Sequence, residues 1–215
     1  MPRRSGKLAQ RRPKRRAAEI TAAAAEVFAK RGYHGATTQD IADVLGIRQA
    51  SLYYYFPSKE AALVAVCLDG VEAYVASAAA ILRGSGDATA KLVALVRHHI
   101  EPWRSRAAFT RVFLLERHQL PDSSRHRVGR FARRYERIFQ SVLEAGVASG
   151  EFRADLDCRL AALAAIGMCN AASAWYGREP GATIERIADT FARLLVEGVA
   201  AVPVTRRTSV RGRRG

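Results

Sequence analysis

The spacing of the apolar residues constrains this chain most, because it follows a helical period from end to end. Ile20, Ala23, Ala24, Val27 and Phe28 recur at i, i+3, i+4, i+7 and i+8, a single stripe on a helix over residues 14–31. Gly32 closes that helix. Thr37 or Thr38 caps a short second helix that reaches Leu45, with Asp40 in its first turn and Gly46 at its end. A third helix runs from about Arg48 to Phe56, where Pro57 breaks it, and Ser58 opens a long fourth helix to about Leu82. Beyond the linker "RGSGD" (83–87), the pattern predicts helices over 88–101, 105–119, 123–149, 157–176 and 183–201. "LYYYF" (52–56) is the only strand-like run, and it is short and followed by proline. The expected fold class is all-α: a small N-terminal bundle followed by a larger helical domain.

Charge divides the 215 residues differently. The formal net charge is +15, yet residues 17–202 hold 22 basic and 20 acidic side chains. The excess sits at the ends, with eight basic residues in 1–16, five in 203–215 and no acid in either. Both ends are rich in Pro, Gly, Ser and Arg, so a disordered basic arm (1–16) and a disordered basic tail (203–215) are expected. They serve as solubilising tails or as arms that seek phosphates, on nucleic acid or on an anionic membrane surface. No run of eighteen apolar residues occurs, and the basic N-terminus has no apolar stretch behind it, so a cytoplasmic protein without a membrane span is expected. Cys67, Cys158 and Cys169 lie far apart and read as buried, inert thiols. There is no glycine-rich phosphate loop, nucleophile elbow or paired acid–base constellation. Adjacent His98 and His99 cannot share one helix face as metal ligands would. Neither an enzyme, a metal site nor a cofactor is expected.

Within 37–60, "TTQDIADVLGIRQASLYYYF" reads as helix, glycine turn, helix. Ile41, Ala42, Leu45, Ile47, Leu52 and Phe56 supply a shared core. On a helical wheel Leu52 and Phe56 face inward, Tyr54 points away and Tyr53 and Tyr55 flank them. Those rings need a partner, and each carries a hydroxyl suited to a phosphate or a base edge. An ordinary αα-hairpin fits the same spacing. The exposed Arg48, Gln49, Ala50 and Ser51, the tyrosines and the basic arm point instead to a helix-turn-helix whose second helix enters the major groove.

Residues 17–63, from "FAKRGYHGATT" through "IADVLGI" to "SLYYYFPSKEAAL", resemble the DNA-binding domain of the TetR family of transcriptional regulators. The resemblance implies a phosphate contact for Thr38. It places Arg48, Gln49, Ala50 and Ser51 at the start of the recognition helix, Arg48 suiting guanine and Gln49 adenine. It places Tyr53 and Tyr54 against backbone or thymine methyls and Lys59 against a phosphate. Tyr55 stands where the family very often has histidine and keeps only a hydroxyl for a phosphate.

The resemblance also implies a homodimer on double-stranded, palindromic operator DNA, its two reading heads roughly 34 Å or a multiple apart. Residues 64–202 would then bind a small effector and pair the subunits through 157–201. "LAALAAIGMCNAASAWY" is crowded with small residues, and Ile184, Ile187, Phe191, Leu194, Leu195 and Gly198 form a stripe. Those stripes equally suit packing within one subunit. Trp103, Phe109, Phe113, Leu114, Asn170, Trp175 and Tyr176 are the candidate lining of an effector pocket, or ordinary core. A fainter likeness of 167–198 to members that sense CoA thioesters implies an acyl-CoA effector, with Arg104, Arg106 or Arg111 facing its phosphates; another lipophile fits as well. Repression follows from family precedent. The alternative is a nonspecific architectural DNA-binding protein driven by its basic ends.

Overall fold

A computed structural model describes residues 11–201; the greater part of the basic arm and all of the basic tail lie outside them. Eleven α-helices occupy the described residues: α1 (Arg11–Gly35), α2 (Thr38–Leu45), α3 (Gln49–Tyr53), α4 (Lys59–Leu68), α5 (Val71–Arg83), α6 (Ala88–Ile100), α7 (Pro102–Ser105), α8 (Ala107–Glu116), α9 (Asp122–Ser149), α10 (Cys158–Ala171) and α11 (Ile184–Val199). Short 3₁₀ turns follow α8 and α10. The all-α fold class is as expected. The boundaries differ where local signals were weak: α1 already begins at Arg11 within the basic arm and carries one further turn past the break at Gly32.

Local chemistry accounts for the reading-head helices. Thr37 caps α2 in a reciprocal box: its hydroxyl accepts from the Asp40 amide while the Asp40 carboxylate accepts from the Thr37 amide. The Thr37 hydroxyl also donates to the Asp40 carboxylate, and that bond, with the one from the Thr37 amide, lowers the Asp40 carboxyl from its ordinary value. Gly46, in the left-handed region at φ 63°, returns its N–H to Ala42 and Asp43 and so turns the chain into α3. α3 is shorter than expected. It ends at Tyr53, and Tyr54–Phe56 form a turn that still brings Phe56 under the bundle.

The fourth helix divides in two. Residues 59–83 are apolar enough on average to imitate a membrane span. Asp69 is extended, however, and Gly70 takes a left-handed φ of 71°, so α4 and α5 part there and enter different cores.

The first core joins α1–α4 through Phe28, Ile41, Leu52 and Leu63, and burying each such side chain contributes about 1.5–3 kcal/mol. It reaches past residue 63 to Val66 and Cys67, and Val112, Leu120 and Val128 from α8, its 3₁₀ exit and α9 complete it. The second core joins α5–α7 and α9–α11 through Leu92, Leu95, Ile100, Phe139, Leu143 and Phe152. Glu151 fastens its far end: its carboxylate accepts from the Ala88 and Thr89 amides at the start of α6 and is held down to about 2. A bridge between Phe152 and Ala200 ties the end of α11 to the same turn. Cys67 and Cys169 are buried and their thiols pushed up to about 12, while Cys158 is half-buried.

Gly146 on α9 allows the Phe152 ring to lie directly on the helix backbone, and a methyl group there would overlap the ring. Gly146→Ala should therefore destabilise the fold by about 1–3 kcal/mol, despite alanine's better helix propensity. Chemical denaturation of the variant checks this, and a gain in stability would refute it.

Candidate nucleic-acid interface and sensor core

The N-termini of α2 and α4 open onto one hollow of about 410 Å³, lined by Ala36, Thr37, Thr38, Tyr53, Pro57, Ser58 and Lys59. Helix N-termini present unpaired amides and the positive end of the peptide dipole, so the hollow suits an anion. Ser58 caps α4 by accepting from the Ala61 amide. On the opposite side the Thr38 hydroxyl lies 3.2 Å from the Tyr53 hydroxyl and accepts a 2.7 Å bond from Gln49 Nε2.

The structure thus brings Thr38, Gln49 and Tyr53 together in one network. Arg48, Ala50 and Ser51 are exposed at the start of α3 beside it. Tyr54 is 86% exposed and its ring meets Tyr55 edge-on. Tyr55 is half-buried against the first core rather than fully presented. Lys59 differs most from expectation. Its ammonium donates to the carbonyls of Tyr33 (2.9 Å) and Ala36 (3.0 Å) and lies over the Tyr33 ring, holding the turn after α1 in place. An ammonium has three donors, so one proton is left for an anion. Ser58 and Pro57 belong to the hollow although sequence reasoning did not single them out as contacts. Their position just ahead of a helix N-terminus was the available signal.

The expected effector lining divides between the two cores. Phe109 and Phe113 pack against the first core, each under a guanidinium, those of Arg106 and Arg117. They lie on the side of α8 that packs with α1. Trp103, Leu114, Asn170, Trp175 and Tyr176 belong to or pack against the second core. Trp103 is buried there, and its Nε1 has no hydrogen-bond partner among the described residues. The three candidate arginines are already engaged: Arg104 with Glu101 and Glu185, Arg106 with Asp69, and Arg111 with the Ala29 carbonyl.

The second core holds a polar network that the sequence reading missed. The Tyr74 hydroxyl donates to Tyr135 (3.1 Å), and the Tyr135 hydroxyl lies 3.2 Å from His99 Nδ1 and 3.4 Å from His98 Nδ1. His99 Nε2 meets Asn170 Oδ1 at 3.0 Å, and His98 Nε2 meets Ser77 at 2.7 Å. Two histidines a hundred degrees apart on α6 therefore converge on one hydroxyl from α9. With His99 neutral, the chain through it has one donor per bond: Tyr74 to Tyr135, Tyr135 to Nδ1, and Nε2–H to Asn170. Burial holds His99 down to about 4 and pushes the Tyr74 and Tyr135 phenols up.

An unfolded chain takes up a proton on this histidine near pH 6.5, whereas the folded one resists until about 4. The network's contribution is therefore complete above pH 6.5 and is lost as pH falls toward 4, by roughly 3 kcal/mol for a difference of this size. The melting temperature should drop across that window, and His99→Gln should flatten the drop. A parallel pH profile in the variant would refute the assignment.

Comparison with known proteins agrees with this architecture. Residues 20–66 match the family model described as bacterial regulatory proteins, tetR family, and residues 85–199 match the tetracyclin repressor-like C-terminal domain. The chain is 28% identical to the HTH-type transcriptional repressor KstR2 of Rhodococcus jostii over 86% of its own length and 92% of the repressor's. It is 26% identical to the fatty acid metabolism regulator protein of Bacillus subtilis, over 88% and 97%. It resembles the crystal structure of FadR from Bacillus subtilis in complex with stearoyl-CoA, with a TM-score of 0.70 and 25% identity over 84% of this chain and 97% of that one. With both of its halves matched, the chain belongs to the TetR family of bacterial transcriptional regulators.

Proposed function

We propose that this protein is a sequence-specific repressor that binds a palindromic operator as a homodimer and leaves it when an acyl-CoA or similar lipophile binds. The observation that carries the DNA part is the anion-suited hollow directly beside the exposed start of α3. A phosphate seated between the two helix N-termini would reach the Thr38 and Tyr53 hydroxyls. Arg48 would then stand over base edges, and Gln49 would reach them by releasing Thr38. Residues 17–63 are the reading head and 64–202 the sensing and pairing part. The basic ends add sequence-independent attraction to phosphates.

Pairing is assigned to α10. Leu160, Leu163, Ala164, Gly167 and Ala171 are all exposed along one side of it. The stripe on α11 contributes less than its sequence suggests: Ile184 and Ile187 are buried in their own subunit, and Leu194 stays exposed. The effector class rests on the stearoyl-CoA complex of the similar B. subtilis FadR and on the name of its fatty acid metabolism regulator.

Selection from a random DNA pool should yield one palindrome bound about a thousandfold more tightly than unrelated duplex. Equal affinity for all duplexes would favour the architectural alternative instead. Thr38→Val removes the hydroxyl shared by Gln49 and Tyr53, and should weaken operator binding about tenfold while leaving the melting temperature nearly unchanged. Fluorescence anisotropy on the selected operator measures both this loss and release of the wild-type protein by stearoyl-CoA and isovaleryl-CoA. Release by either supports the acyl-CoA reading, and indifference to both removes it.

A further inference from the structure

Among the described residues, several cations without a carboxylate partner gather on one helix. Arg127, Arg130, Arg134 and Arg137 stand at i, i+3, i+7 and i+10 on α9, with Arg133 beside them, and all five are exposed. None of the five makes an ion pair among the described residues: Asp122 is taken by Arg125 and Glu136 by Arg159. The four share one side of the helix and mark a line of about 15 Å. Like charges three and four residues apart repel, so the line is destabilising until an anion lies on it. Gly129 sits within the same helix, where glycine is less favourable than alanine. A methyl group there would come within 3.3 Å of the Arg133 guanidinium.

The same helix directs Tyr135 inward to the polar network, away from the side that carries the four arginines. α9 therefore separates a polar-centred sensor core from a cationic outer face. We propose that this outer face is the binding site for the phosphorylated adenosine end of a CoA thioester, whose acyl part enters the second core. The proposal rests on the acyl-CoA reading above and assigns its charged half. The diphosphate and 3′-phosphate of CoA carry roughly four negative charges against four aligned guanidiniums. Guanidiniums take phosphate oxygens in paired hydrogen bonds, which a line of arginines repeats. The helix is only about 10–12 Å across, so a pantetheine arm can pass round it. DNA is the less fitting occupant, since the stripe belongs to the sensor half and the hollow and α3 to the reading head.

The test uses the full-length protein on its operator, with Arg130→Glu/Arg134→Glu and the milder Arg130→Gln/Arg134→Gln. Each is titrated with stearoyl-CoA, isovaleryl-CoA and their 3′-dephospho analogues. Wild-type protein should need about tenfold more of a dephospho thioester for release. Both variants should need at least about tenfold more thioester than wild type and should no longer distinguish the two forms, with effector-free operator affinity and salt slope unchanged. Variants that respond like wild type would overturn the proposal while leaving the acyl-CoA reading intact. Weaker effector-free DNA binding with a shallower salt slope would overturn it in favour of a DNA contact. A wild-type protein that responds to no thioester would overturn both.

Discussion

The reading head depends on side chains that belong to the other half of the chain. Val112, Leu120 and Val128 are almost fully buried in the core that α1–α4 form, and α8 lies along α1 with its Arg111 bonded to the Ala29 carbonyl. Close-packed interiors tolerate little change in volume, so α1 and α8 must move together or lose contact. At the α4–α5 junction Arg106 joins Asp69 to the Phe109 ring. An exposed pair of this kind contributes at most about 1 kcal/mol. The apolar seam holds the halves together, and the ion pair marks where the chain passes from one core to the other.

This seam gives the second core a physical route to the DNA-facing surface. α9 is common to both cores: Val128 lies in the first, and Tyr135, Ile138 and Phe139 lie in the second. A ligand that tilts α9 would act on the seam at Val128 and, through α8, on α1. Lys59 extends the route, because its ammonium fixes the turn between α1 and α2 that borders the anion-suited hollow. The same lysine thus steadies the head and faces its site, which explains why it is half-buried where a pure phosphate contact would be exposed.

Much of the reading head was legible because its signals are local. Thr37 with Asp40, Gly46, and Ser58 ahead of α4 are caps and turns whose geometry follows from neighbours three or four residues away. The sensor half was legible only as helices. Phe109 and Phe113 were grouped with Trp103 because all are aromatic and near in sequence, yet α8 faces the other core. Arg104 and Arg106 were read as free cations because Glu185 and Asp69 lie 81 and 37 residues away. His98 and His99 were dismissed because adjacent residues diverge on a helix; Tyr135 stands between them from another helix, a relation no spacing rule contains.

The buried indole of Trp103 has an optical consequence. The chain has two tryptophans, Trp103 within the second core and Trp175 edge-on to Phe191 at its margin. The reading head has none. Excitation at the red edge of the indole band therefore illuminates the sensor half alone, while the tyrosines at the DNA-facing end stay dark. An indole buried in an apolar surround emits toward the blue, and a ligand oxygen that reached its N–H would shift that emission red. Occupancy of the sensor half can then be followed in the native protein without a label, separately from events at the operator.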